Sequence, residues 1–558
     1  MDSNLLKTKS IEQLVSDVEH GGKHLKRSLT AWDLTLLGIG AIIGTGIFVL
    51  TGTAAANQAG PAIMLAYLAA GVACGFAALC YAEFASMVPI AGSAYTYAYA
   101  SLGEIVAWLI GWDLILEYAV GSMTVAIGWS GYMQKLLSGF GIHIPAWMAA
   151  APPAGVVNLP AMIIVLLIMI LLVIGVRESA RFNAIMVAIK GAAILFFIAA
   201  GVAYVRPENW TPFTPYGTSG VMAAAAVVFF AYIGFDAVST TAEEAKNPRR
   251  DLPIGIIASL VICTALYLAV SAILSGIVPV LEFKTNQQFL NAPVAFALST
   301  IGLDWAAYLV SAGAVAGITS VLLVMLMSQP RIFFAMSRDG LLPPGVSKVH
   351  PRFGTPYITT IITCVVVAIV AGLTQIQVVG EMTSIGTLFA FVVVCSAVII
   401  LRIQRPEAHR PFKVPGGYVF PVLGILSCLW LMLNLPVITW VRFLVWLDIG
   451  IAIYWSYGRK NSPLVDRTEL ATRSTAEGFA NLVTMLGALA LFNGFFMTLL
   501  GYLTEFGVVS PEMAKWHEIG VTPEGADALG LQVLGVGFVL FIIGRLITRT
   551  VAKPAQAV

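Results

Sequence analysis

An all-α polytopic membrane protein of about fourteen transmembrane helices is the fold class this sequence predicts, on three observations. The 558 residues are 59% hydrophobic and only 11% charged, where a soluble domain carries about 25% charged residues. Apolar stretches of spanning length recur, beginning near Leu34, Pro61, Ile105, Leu159, Ala184, Gly220, Ile254, Ala306, Ile358, Val379, Tyr418, Phe443, Leu482 and Leu531. Lys and Arg alternate across them. With a cytosolic N-terminus, 25 of the 31 fall in inner segments, five (Lys135, Arg206, Lys284, Arg442 and Lys515) in outer ones, and Lys190 alone within a span. This bias obeys the positive-inside rule at every loop, and a single missed helix would invert every later loop. A multi-pass protein of the cell membrane with both termini in the cytosol is expected.

In chain order, residues 1–30 are polar, lack the apolar core of a signal peptide and read as a cytosolic tail with a short amphipathic helix. Residues 31–458 make a twelve-helix core. The polar stretch 459–478 reads as a cytosolic linker, 479–550 as two additional transmembrane helices, and 551–558 as a cytosolic tail. The added helices offer a surface for a small membrane partner or an oligomer contact. All six cysteines lie in apolar spans without metal-ligand spacing and read as small core residues. The stretch from Val88 to Tyr99 carries small and aromatic residues and no charge, which suits a partly inserted connection.

Span one contains GIGAIIGTGIF, Gly38 to Phe48, in which four of eleven residues are Gly. Glycine is poor in helix interiors, so Gly44-Thr45-Gly46 marks either a helix break or a close-packing face. Broken backbone at membrane depth survives only where protein or a wet cavity satisfies it, and the N–H groups of a resumed half-helix suit a carboxylate. Five spans later, YIGFDAVSTTAEEAKNPRRDLP places Gly234 and Asp236 inside another span. Interruptions at matching places in two five-helix halves predict a five-plus-five inverted repeat. Asp236 suits a counter-charge, a proton acceptor or a cap, or merely a partner for local hydroxyls; Asn247-Pro248 should stop the helix.

Lys190 in span five suits proton carriage, a fixed cation in place of a metal ion, or a structural ion pair. Asp113 and Glu117 in span three share a helix face, with Glu117 the deeper and better functional candidate. Glu83 reads as an inner-end polar anchor and Asp448 as structural or at an interface. Thr319 and Ser320 add two hydroxyls to span eight. The run from Gln329 to Pro343 carries charges that suit a cytosolic gate or loop. No P-loop, dinucleotide fingerprint or GxSxG motif is present, and the six His show no zinc spacing. The chain is therefore expected to be no enzyme, with no cofactor, metal or nucleic-acid partner, and to draw energy from an ion or solute gradient.

The stretches GIGAIIGTGIF, YIGFDAVSTTAEEAKNPRRDLP and FFAMSRDGLLP resemble the cationic amino acid transporter group of the amino acid–polyamine–organocation (APC) superfamily, from about Ser28 to Gly458. The resemblance implies a leucine-transporter-like fold with discontinuous helices 1 and 6. It implies an amino acid carboxylate at the backbone of Gly44, Thr45 and Gly46, and an α-amino group at carbonyls near Ile42, Phe230, Ala231 and Ile233. It places Asp236 at the side-chain end of the pocket, near Ile318. It implies that Lys190 lies beside the backbone of Gly40 and Ile43 and the hydroxyls of Thr319 and Ser320, where sodium-coupled relatives hold their ion, and that Glu117 matches a glutamate needed for transport. The expected activity is proton-coupled, sodium-independent amino acid transport, with protons, the amino acid and membrane lipid as partners and a neutral or broad substrate range. An amino acid or polyamine exchanger and a non-transporting sensor are the alternatives.

Overall fold

The computed structural model describes residues 29–88, 93–175, 180–279, 282–462, 475–506 and 523–551. The expected N-terminal amphipathic helix, Arg177, residues 89–92 of the small-and-aromatic connection and most of the 459–478 linker lie outside them. The described residues form helices joined by loops, without strands. Nine of their helices are long and apolar enough to cross a membrane, and five shorter apolar helices accompany them.

The main helices are α1 (Ala31–Ile42), α2 (Ile63–Met87), α3 (Glu104–Ser138), α4 (Leu159–Ile174), α5 (Ala180–Gly201), α6 (Gly217–Val228), α7 (Pro248–Ile277), α8 (Asp304–Arg338), α9 (Tyr357–Leu373), α10 (Ile376–Gln404), α11 (Val419–Leu433), α12 (Val437–Ile453), α13 (Thr475–Glu505) and α14 (Pro523–Val551). They correspond in order to the fourteen expected spans. The chain divides into two compact units, Met1–Met432 and Leu433–Val558. The division falls ahead of the polar stretch at 459–478.

Local chemistry explains where the helices begin and end. A capping box opens α1: the Thr30 N–H donates to Asp33 Oδ2 at 2.9 Å, and the Asp33 N–H donates to Thr30 Oγ1 at 3.4 Å. After Ile42 the backbone becomes extended at Ile43, with ψ 105°, and helix resumes as Gly46–Leu50, Thr51–Ala54 and Ala55–Ala59. Gly60, at φ +61°, then turns the chain into α2. In α6 the helix tightens over Phe229–Tyr232 and stops at Ile233, and a 3₁₀ segment runs from Asp236 to Glu244.

Two sequence expectations are corrected. Asn247-Pro248 does not stop the broken helix, which has ended at Glu244. Pro248 instead opens α7, with the Asn247 N–H donating to Asp251 Oδ2 at 3.2 Å. Proline is well suited to a first helical position, where its missing N–H costs nothing. The first ten residues of the Gln329–Pro343 run are not a loop but the end of α8, which continues through Pro330 to Arg338. Packed neighbours tolerate a proline within a membrane helix because they satisfy the backbone group it frees. Beyond it, the Tyr95 hydroxyl donates to Asp339 Oδ2 at 2.7 Å, which ties this end to the helix Ser93–Ser101.

Glu83 is an anchor, as expected. Its carboxylate is bound by the Arg402 guanidinium and by the Val414 N–H at 2.8 Å, which fastens α2 to α10 and to the segment that follows. In the second unit, Asp448 accepts from Asn493 Nδ2 at 2.7 Å. There α13 and α14 pack backbone to backbone: a Cβ on Gly487 would lie 2.3 Å from the Phe541 nitrogen, and one on Gly537 2.5 Å from the Leu491 nitrogen.

Candidate substrate and coupling site

Each residue of Gly44-Thr45-Gly46 faces a different element. A Cβ on Gly44 would lie 3.2 Å from Val321 of α8, and one on Gly46 2.3 Å from Ala231 Cα at the α6 break. The Thr45 methyl lies where a Cβ on Gly128 of α3 would sit, at 2.3 Å, and the Thr45 hydroxyl reaches the Val125 carbonyl at 3.5 Å. The two interruptions therefore meet directly, as the resemblance implied. Close packing and breakage, the two readings of the glycine-rich stretch, both occur but at different residues. Gly38 packs on Ser259 of α7, whereas the break lies at residues 43–45.

The break in α6 needs a glycine. Gly234 has φ +119°, and a Cβ there would meet the Ala41 backbone at 2.8 Å. Asp236 starts the following segment, and its Oδ1 accepts from the Gly234 N–H at 3.2 Å. This is a local side-chain–backbone bond within the turn; it does not cap the 3₁₀ segment, whose N-cap is Phe235 with no side-chain cap bond. No side chain caps the resumed half of α1 at Thr45, so its first-turn N–H groups keep their capacity for an external anion.

The carbonyls at the two breaks share a partner that sequence reasoning missed. The Tyr267 hydroxyl of α7 lies 2.9 Å from the Ile42 carbonyl and 2.8 Å from the Ala231 carbonyl, bridging the interruptions. Tyr67 reaches the Gly46 carbonyl at 3.0 Å, and Tyr132 donates to the Phe48 carbonyl at 2.7 Å. The Phe230 carbonyl accepts the Ile233 N–H at 3.2 Å. Tyr67, Tyr232 and Tyr267 form one cluster with ring centroids 5.3 to 6.3 Å apart. A carbonyl has two lone pairs, so the Ile42 and Ala231 oxygens can each accept a further donor.

Lys190 is fully buried, and its ammonium donates to the Gly40 carbonyl and, at 3.0 Å, to the Ile43 carbonyl. These are the two backbone groups named from the resemblance. Its stem runs past Gly317 of α8, where a Cβ would lie 2.8 Å from Lys190 Cβ. Thr319 and Ser320 bond their own helix through the Val315 and Gly317 carbonyls, and Thr319 also accepts from Trp129 Nε1 at 2.8 Å.

Glu117 is buried beside Thr387 of α10 and near enough to Asp236 for their charges to interact. Asp113, one turn earlier, is fully buried. Its carboxylate oxygens have no hydrogen-bond partner among the described residues. Ile42, Phe230, Ala231, Ile233 and Ile318 are all buried. Between α3, α4 and the start of α10 lies a cavity of about 320 Å³, whose lining includes Asn57, Gln134, Asn158 and Gln377 and no charged residue.

A bundle of membrane-length helices with two touching breaks, uncapped N–H groups at one of them and a buried ammonium beside it has the architecture of a membrane carrier. The chain belongs to the amino acid permease family, whose model matches residues 29–455. It is 52% identical over 469 residues to a branched-chain amino acid permease of Bacillus subtilis, covering 83% of this chain and all of that protein. It is 49% identical over 465 residues to a methylthioribose transporter of the same organism, covering 83% of this chain and 99% of the relative. A vacuolar cationic amino acid transporter of Arabidopsis thaliana is 38% identical over 414 residues, 73% of this chain and 68% of that protein. The chain is thus an APC-type amino acid transporter, a multi-pass membrane protein.

Proposed function

We propose that the chain is a secondary active transporter of neutral, aliphatic amino acids, proton-coupled and sodium-independent. It works by alternating access between two inverted halves, α1–α5 and α6–α10, in a cell membrane with both termini cytosolic. The single observation that carries the coupling is the buried Lys190 ammonium on the Gly40 and Ile43 carbonyls, at the broken end of α1. A protonated lysine holds that end in place; a neutral one gives up charge-assisted bonds and frees it. The fixed ammonium also fills a carbonyl-lined cation position, which argues against sodium.

In this reading the substrate carboxylate meets the N–H groups of Gly44, Thr45 and Gly46. The α-amino group is the further donor to the carbonyls of Ile42 and Ala231, beside those of Phe230 and Ile233. Glu117 and Asp236 stand at the side-chain end, and Glu117 joins Lys190 in proton coupling. The buried, apolar Ile318 favours an uncharged side chain. The relatives named for branched-chain amino acids and methylthioribose, both neutral solutes with apolar tails, favour the same. The core spans residues 31–458, with the pair at 479–550 an appendage.

The test is uptake into proteoliposomes. Leucine should accumulate when an inward proton gradient is imposed and should ignore sodium, with arginine a poor competitor. Flux that appears only with amino acid on the far side would instead identify an exchanger, and saturable binding without flux a sensor.

A further inference from the structure

Away from the helix breaks, the start of α7 and the segment after α10 enclose a groove of about 530 Å³. Arg249 and Arg250 stand exposed at its rim. Among the described residues neither guanidinium has an acidic partner. Its walls are Pro253, Ile254 and Ile257 on one side and Pro411 and Phe412 on the other. The two arginines occupy the first turn of a 30-residue helix, so the positive end of the helix dipole adds to their charge.

The groove does not end at its rim. Ile254, Ile257, Ala258 and Val261 recur at helical spacing along one face of α7. Ile254 is 41% and Val261 61% exposed. An apolar stripe that leaves the groove and continues along an exposed face suits an acyl chain, not a protein loop. Paired guanidiniums at the inner end of a membrane helix suit the phosphate above it.

We propose that this groove is a binding site for an anionic phospholipid of the inner leaflet, its phosphate held by Arg249 and Arg250 and one acyl chain laid along Ile254, Ile257 and Val261. Both walls are tied to neighbouring elements. The Pro411–Phe412 wall lies in the segment that Glu83 holds through Arg402 and the Val414 N–H. The α7 wall follows the exit of the broken helix, where the Leu29 N–H donates to the Glu244 carbonyl at 3.0 Å and the Lys246 N–H to the Leu29 carbonyl at 2.8 Å. A bound lipid braces the inner exits of α1 and α6 against the segment after α10.

Native mass spectrometry of the full chain, released from vesicles of equimolar phosphatidylglycerol and phosphatidylcholine, tests the assignment. The wild-type chain should retain phosphatidylglycerol over phosphatidylcholine, and that preference should fall about fivefold for each guanidinium removed in Arg249→Ala and Arg250→Ala. The paired substitutions to Lys keep the charge and should keep the preference. Ile257→Trp fills the groove with the arginines intact and should release bound lipid of both kinds, so it decides the matter even if the alanine variants fail to fold. Equal retention of the two lipids by wild type, or phosphatidylglycerol retention unchanged by Ile257→Trp, overturns the proposal. Displacement of phosphatidylglycerol by inorganic phosphate at physiological concentration overturns it in favour of a free-anion site.

Discussion

The break in α1 and the break in α6 interrupt a membrane span by different means. The first uses no left-handed residue: Ile43 turns extended, and a full helix resumes within three residues with no side chain at its N-terminus. The second requires Gly234 at φ +119°, resumes only as 3₁₀ turns, and brings its own carboxylate, Asp236, to the freed N–H of Gly234. Neither resumed segment has a side-chain cap, but the α6 break ties one freed donor, the Gly234 N–H, to its own carboxylate. In the proposed reading the external carboxylate goes to α1, and the α6 break contributes carbonyls and shape. Lys190 sharpens the asymmetry, because it bonds carbonyls of α1 that the interruption leaves without helical partners.

Substitutions at the contact between the breaks should have the largest effect. Gly46→Val places bulk where even a Cβ would lie 2.3 Å from Ala231 Cα, an overpacking cost of about 1–3 kcal/mol or more that must part the two breaks. Uptake should fall to background while the protein still elutes as a single species in detergent. Gly234→Ala adds about 1–3 kcal/mol of backbone strain and sets a Cβ 2.8 Å from the Ala41 backbone, but it adds less bulk and should lower uptake less. If it proves the more damaging, the α6 break rather than α1 governs binding. Next in size is Lys190→Ala: proton-driven accumulation should vanish while exchange of internal for external leucine persists. Unchanged accumulation would remove the coupling role. Gly317→Val, which pushes on the Lys190 stem without altering its charge, should shift the same balance by a smaller amount.

Much of this was legible in the sequence because membrane helices tolerate few anomalies. Gly44-Thr45-Gly46, Asp236 and Lys190 stand out from an apolar background for energetic reasons, and all three lie at or beside the breaks. What was not legible depends on partners distant in sequence. Tyr267 is one tyrosine among seventeen, and nothing in its neighbours reveals that its hydroxyl joins Ile42 to Ala231. Gly317 reads as an ordinary small residue until the Lys190 stem is seen against it. Asn247-Pro248 carries one signal with two meanings, since proline ends one helix and begins another equally well, and only the early stop at Glu244 decides between them. The charges of Gln329–Arg338 suggested a loop, but charge reports exposure and not backbone shape.

The smaller predictions separate the two breaks residue by residue. Tyr267→Phe removes the hydroxyl that bridges the Ile42 and Ala231 carbonyls, a net loss of about 0.5–1.5 kcal/mol. It should raise the KM for leucine with little change in maximal rate, because a substrate amino group must then hold both carbonyls alone. An unchanged KM would mean that the bridge is structural and that the amino group binds elsewhere.

Asp236→Asn should do least. If the carboxylate serves only to accept the Gly234 bond, the Asn carbonyl oxygen can accept from that N–H in the same geometry. Leucine uptake should then stay near wild type, and Asp236→Ala, which leaves that N–H without its acceptor, should cost about 1–3 kcal/mol of stability, read as a lower melting temperature. If Asn and Ala abolish uptake alike while both proteins melt normally, the negative charge itself is required. Asp236 would then act on the substrate or on a proton, and the α6 break would be as open to external charge as the one in α1.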